Sequence, residues 1–95
     1  MCENIKRWHI IFDGRVQGVG FRFTAQIYAA GLGLTGWVRN MYDGRVEMEI
    51  QGSPDDLSSL VNRLKSTPPI RITDCEIREI PAKEGEKKLS VLHTF

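Results

Sequence analysis

Apolar and polar positions along this chain follow two rhythms, and the switches between them outline its elements. Trp8, Ile10 and Phe12 alternate, which predicts a strand over Trp8–Phe12 with one face inward. Phe23, Ile27 and Ala30 then recur at helical spacing, and Ala25, Ala29 and Ala30 raise helix propensity. A helix is expected from about Arg22 to Ala30, with Gly31 as its C′ residue and Gly33 close behind. Alternation returns in Thr35–Met41 and in Arg45–Gln51, where Val46, Met48 and Ile50 share one face and Glu47 and Glu49 the other. Tyr42-Asp43-Gly44-Arg45 lies between them. Asp-Gly at the centre predicts a hairpin with a type I′ turn, which needs positive φ at both central residues.

The second half reads in the same way. Ser53 is a natural N-cap, Pro54 suits the first helical position, and Asp55 and Asp56 complement the helix dipole. Leu57, Leu60, Val61 and Leu64 form one apolar stripe, Arg63 and Lys65 suit the C-terminal end, and Pro68-Pro69 stops the helix. Ile70, Ile72, Ile77 and Ile80 mark a strand over Arg71–Ile80 whose phase slips around Cys75, so a bulge or kink is expected there. Pro81 to Lys88 reads as a solvated, charged loop, and Leu89–Phe95 as a short last strand with Leu89, Val91 and Phe95 on one face. The order β-α-β-β-α-β plus a short C-terminal strand predicts an α+β fold, the ferredoxin-like α/β sandwich. Its sheet is of antiparallel type, with two helices on one face. That fold hosts enzymes, metabolite sensors and RNA binders, so it does not decide function.

Composition narrows the picture. Ninety-five residues are expected to form a single domain over 1–95, and 41% hydrophobic residues suffice for a small core. Thirteen basic and twelve acidic residues leave a net charge of +1, which gives no general polyanion signal. Cys2 and Cys75 show no CxxC spacing and no Cys/His cluster, so no metal site is expected. Two isolated cysteines suit a reducing compartment; Cys2 reads as a terminal thiol and Cys75 as a small strand residue. The N-terminus lacks an apolar core segment and no run is long enough to span a membrane, so a soluble, cytoplasmic protein is expected, by default a monomer.

The candidate chemistry lies in Gly14-Arg15-Val16-Gln17-Gly18-Val19-Gly20-Phe21-Arg22, which holds three of the nine glycines. A glycine-rich loop feeding a helix start is suited to anions, because the first helical N–H groups lack internal partners and the dipole is positive there. Arg22 adds a fixed charged fork that matches phosphate oxygens. No Walker A Lys-Ser/Thr follows, and Gly18-Val19-Gly20 lacks the third glycine of a dinucleotide fingerprint. Gly18–Phe23 faintly echoes an RNA-binding motif of this fold, but Val19 stands where an aromatic belongs and the stretch precedes the first helix.

The Gly14–Arg22 stretch resembles the first signature of the acylphosphatase family, G-x-V-Q-G-V-x-F-R, at every fixed position. Gly36-Trp37-Val38-Arg39-Asn40, followed by Gly44, Val46 and Gly52, resembles the second. The resemblance covers essentially the whole chain. It implies hydrolysis of acyl phosphates to a carboxylate and inorganic phosphate, without metal or other cofactor. It implies that Arg22 and Asn40 are catalytic and that the backbone N–H groups of Gln17, Gly18, Val19, Gly20 and Phe21 cradle the phosphate. The implied partner is a small acyl phosphate, with 1,3-bisphosphoglycerate and carbamoyl phosphate among the family's candidates, and neither nucleic acid nor membrane. Gln17 is expected to brace the loop with its side chain, Arg15 and Arg39 to be solvated, and His9 and His93 to be structural. Trp8 and Trp37 are expected in the core or at a sheet edge, with Trp37 alternatively shaping the acyl side of the pocket. Two other functions share these residues: a module that binds a phosphorylated metabolite without turnover, and an RNA binder.

Overall fold

The computed structural model describes residues 4–93. The elements run β1 (Lys6–Arg15), α1 (Phe21–Leu32), β2 (Thr35–Asn40), β3 (Val46–Gly52), α2 (Pro54–Lys65), β4 (Arg71–Ile80) and β5 (Leu89–Val91). The sheet has the order β4-β1-β3-β2-β5. The first four of these strands pair antiparallel, whereas β5 adds to β2 in parallel, so the ferredoxin-like sheet carries one parallel edge. Residues 94 and 95, including the Phe95 assigned to a last strand, lie outside the described residues, as does Cys2.

The core forms between one sheet face and the two helices. Ile10, Phe12, Val38, Val46, Met48 and Ile50 project from the sheet, and Leu57, Leu60, Val61 and Leu64 meet them from α2. The termini of α2 follow the expected chemistry: Ser53 Oγ accepts a hydrogen bond from the Asp56 amide at 3.2 Å, and Arg63 and Lys65 occupy the last turn.

Helix α1 departs from expectation in its face and its end. Its buried residues are Phe21, Ala25 and Ala29, while Phe23 is 68% exposed and Ile27 53% exposed. Ala25 and Ala29 allow the helix to lie close to its neighbours, and Phe21 anchors its start on the same inner face. Gly31 lies within the helix, and the left-handed cap is Gly33 at φ 69°. The Leu34 amide closes that end on the Ala29 carbonyl at 2.9 Å.

The β2–β3 hairpin is present, but its turn is not type I′. No non-glycine residue has positive φ among the described residues, so Asp43 cannot serve in such a turn. Instead the Gly44 amide bonds the Met41 carbonyl, the Met41 amide bonds the Arg45 carbonyl, and Gly44 alone is left-handed at φ 95°. This is a tight turn followed by a glycine bulge. The β4 irregularity falls at Thr73 rather than at Cys75: Asp13 pairs with Asp74 and Gly14 with Ile72. A Cβ on Gly14 would lie 2.1 Å from the Arg71 carbonyl oxygen, so the close approach requires glycine.

The charged loop after β4 is not simply solvated. Arg7, on the sheet face away from the helices, is only 1% exposed. Its guanidinium takes Glu86 in a two-pronged bond at 2.6 and 3.1 Å and donates to Glu49 at 2.9 Å. Gln51 and the Lys83 backbone exchange two further bonds, so the loop is strapped across the outer face. The hydrogen bond from Arg7 holds the Glu86 carboxyl below its usual range despite partial burial.

Candidate functional site

The loop between β1 and α1 alternates anchors with bare backbone. Val16 and Phe21 are buried and Val19 packs on the core. The Phe21 ring lies 4.9 Å from Phe12, which fixes the helix start. Gly18 and Gly20 stand between these anchors at φ 72° and 77°. Neither glycine has anything within 4 Å of where a Cβ would sit, so backbone handedness alone demands glycine there. The Gln17 side chain donates to the carbonyls of Met41 at 2.7 Å and Arg45 at 2.9 Å, bracing the loop against the hairpin.

The N-terminus of α1 contrasts with that of α2. Its cap is Gly20, no side chain caps it, and its first turn holds no acidic residue. None of the amides of residues 17–21 donates to a backbone carbonyl among the described residues. Partial positive charge therefore gathers there with no internal acceptor to absorb it.

A cavity of about 310 Å³ opens at this helix start. Gly18, Gly20, Phe21 and Arg22 line one part of it, and Asn40, the last residue of β2, joins them. Arg22 makes no ion pair, and the Asn40 side chain no hydrogen bond, among the described residues, although both are half-buried. Two side chains rich in polar atoms thus point their capacity at one space. Gln17 and Val19, both expected in the phosphate cradle, do not line it: the Gln17 side chain is committed to the hairpin carbonyls and Val19 packs on the core. Sequence reasoning missed four lining residues, Val16, Phe23, Gln26 and Val91. The competing i, i+4 series Phe21-Ala25-Ala29, continued by the half-buried Leu32, was the signal that Phe23 faces outward.

Other candidate groups lie elsewhere. Trp37 alternates with buried Val38 and therefore sits on the outer face, 5.8 Å below the Arg39 guanidinium, not in the cavity. Arg39 pairs with Glu47 at 2.7 Å, and His9 contacts the same carboxylate at 2.7 Å. Burial alone would raise the Glu47 pKa, but the bonds from His9 and Arg39 outweigh it and hold that carboxyl low. Cys75 is half-buried, and burial pushes its thiol up, away from reactive thiolate. Among the described residues no group of three or more His, Cys, Asp or Glu side chains could hold a metal ion, and no helix is long and apolar enough to cross a membrane.

Known proteins carry the same arrangement of sequence and fold. A family model described as acylphosphatase matches residues 8–91. An acylphosphatase of Clostridium beijerinckii is 41% identical over 86 residues, covering 90% of this chain and 96% of its own length. The crystal structure of acylphosphatase from Bacillus subtilis superposes with a TM-score of 0.84 at 41% identity, covering 92% of this chain and 98% of that one. An acylphosphatase structure from Coxiella burnetii gives 0.85 at 31% identity, with 94% of each chain covered. With both sequence motifs inside the matched span and the relatives aligned nearly end to end, the chain belongs to the acylphosphatase family.

Proposed function

We propose that this chain hydrolyses acyl phosphates to a carboxylate and inorganic phosphate, using Arg22, Asn40 and the loop amides. One observation carries the reading: an uncapped helix N-terminus, an unpaired arginine and an uncommitted carboxamide share one cavity.

An acyl phosphate is a mixed anhydride whose leaving group is a carboxylate. A carboxylic acid has a pKa of about 4, so this group departs without being protonated first. No general acid is required. The phosphoryl group passes through a loose transition state, so a strong nucleophile is not required either. What the protein must supply is a grip on the phosphoryl oxygens and one aimed water.

Arg22 and the N–H groups of Gln17, Gly18, Val19, Gly20 and Phe21 supply the grip. The amide dipoles are fixed by the loop, so they need no reorganisation as charge shifts. The Asn40 side-chain oxygen accepts from the water and its amide donates to the phosphoryl group. Water attacks phosphorus, the bond from phosphorus to the bridging oxygen breaks, and the electron pair leaves with the carboxylate. A neutral amide is a poor base, so the water's proton passes to a phosphoryl oxygen. No step calls on a metal ion.

The test follows loss of benzoyl phosphate by ultraviolet absorbance, with and without EDTA. The expected result is saturable turnover, unchanged by EDTA and inhibited competitively by inorganic phosphate. Saturable phosphate binding without turnover would replace the enzyme by a binding module.

A further inference from the structure

We infer that Phe23, with Val91, forms the subsite for the acyl group and gives the enzyme a preference for aromatic or bulky apolar acyl phosphates. The inference rests on the hydrolase reading above and deepens it.

Phe23 is 68% exposed, although apolar side chains on α1 have a core available to them. The inward face of that helix is already filled by Phe21, Ala25 and Ala29. The core therefore does not explain an exposed aromatic ring directly after Arg22. The cavity does, because Phe23 lines it. Val91, 40% exposed, lines the same cavity from β5. Gln26 joins the two elements: its side-chain amide donates to the Leu89 carbonyl at 3.2 Å. That bond turns the helix face bearing Phe23 and Gln26 toward β5. The Leu92 amide on the Val38 carbonyl at 2.9 Å fixes the other side of Val91.

In an acyl phosphate only the bridging oxygen separates phosphorus from the acyl carbon. A phosphoryl group held at the helix start therefore sends its acyl substituent toward the remaining lining, which is Phe23, Gln26 and Val91 with the almost fully buried Val16 behind them. Among the described residues Arg22 is the only charged side chain lining the cavity, and the phosphoryl group engages it. A charged acyl substituent finds no counter-ion there. An aromatic one meets a ring and a branched aliphatic side chain, and contacts of this kind give about a tenfold gain.

The test compares kcat/KM for benzoyl phosphate and acetyl phosphate in the wild type, Phe23→Ser, Phe23→Leu and Ile27→Ser. Ile27 is an exposed apolar residue one turn on that does not line the cavity. The wild type is expected to prefer benzoyl phosphate. Phe23→Ser should reduce that preference about tenfold, mainly through KM, while the inhibition constant of inorganic phosphate stays within a factor of two. Phe23→Leu should recover part of the preference, and Ile27→Ser should leave it unchanged. An undiminished preference in Phe23→Ser, or an equal loss in Ile27→Ser, would overturn the subsite and leave the hydrolase reading intact. Absence of turnover of both substrates in the wild type would overturn the two together.

Discussion

Arg22 is the second residue of helix α1 and Asn40 the last of strand β2, yet both line the same cavity and neither spends its side chain on an ion pair or side-chain hydrogen bond among the described residues. The proposed chemistry divides between them, with binding and charge neutralisation at Arg22 and orientation of water at Asn40. Their substitutions should therefore fail in different ways.

Arg22→Gln keeps a polar side chain but shortens it and removes the charge and the fork. Loss of one preorganised donor costs about 10²–10³ in rate, and loss of a charge facing a dianion costs more. Turnover of benzoyl phosphate should fall below detection. The thermal midpoint should hold, because Arg22 supports no internal ion pair among the described residues. A folded variant with near-normal turnover would remove Arg22 from the mechanism.

Asn40→Ala should lower kcat by about 10²–10³ while changing the inhibition constant of inorganic phosphate only slightly. Its backbone pairing with Val46 in β3 does not involve the side chain, so the fold should survive. Equal losses in kcat and phosphate affinity would instead make Asn40 a phosphate ligand.

Gly18→Ala places a methyl group in open space at φ 72°, so the cost is backbone handedness alone. That should destabilise the protein by about 1 kcal/mol. The larger effect should fall on phosphate binding, because relieving the strain rotates loop amides away from the proposed phosphate position. Calorimetry and phosphate titration of one variant separate the two effects. Gly14→Ala differs: its Cβ would meet backbone atoms of β4, and it should compromise folding itself.

Arg7 and Glu86 carry a stability prediction remote from the cavity. Glu86→Gln leaves a buried guanidinium with only Glu49 as charged partner, which should cost about 2 kcal/mol, or roughly 10 °C in thermal midpoint for a chain of this size. Arg7 holds the Glu86 pKa below its ordinary value of 4.5. A depressed carboxyl stabilises the fold above that value and loses its contribution as pH falls through the lower, folded value. The gap in thermal midpoint between wild type and Glu86→Gln should thus be full at pH 7 and narrow below about pH 4.5. A gap that does not change between pH 7 and pH 3 would contradict the ion pair. Turnover near neutral pH should be unaffected, since the pair lies on the opposite sheet face.

Much of this was legible in the residues because local chemistry and tertiary packing agreed. In α2, the cap at Ser53, the aspartates and the leucine stripe all point one way, and the helix spans Pro54–Lys65. In α1 two stripes competed. Phe23 and Ile27 are the larger apolar residues, but Phe21, Ala25 and Ala29 give the closer approach and took the core. Periodicity alone does not rank two such faces. The Asp43-Gly44 pair marked the hairpin correctly, but only the hydrogen bonds at Met41 reveal a bulge in place of a type I′ turn. Arg7 and Glu86 are remote in sequence, and no local pattern announces a pair made by the folding back of a loop. The parallel direction of β5 is likewise a property of where the chain returns. The grouping of Arg22, Asn40 and the glycine loop was accessible only through the two signatures, since nothing local links the end of β2 to the start of α1.

The most direct test of the central claim is a titration with inorganic phosphate followed residue by residue by amide ¹H–¹⁵N NMR. The account predicts saturable shifts concentrated on the amides of residues 17–22 and the Arg22 side chain, with the Asn40 carboxamide following, and loss of saturation in Arg22→Gln. Shifts centred elsewhere, or a saturable response that survives in Arg22→Gln, would contradict it.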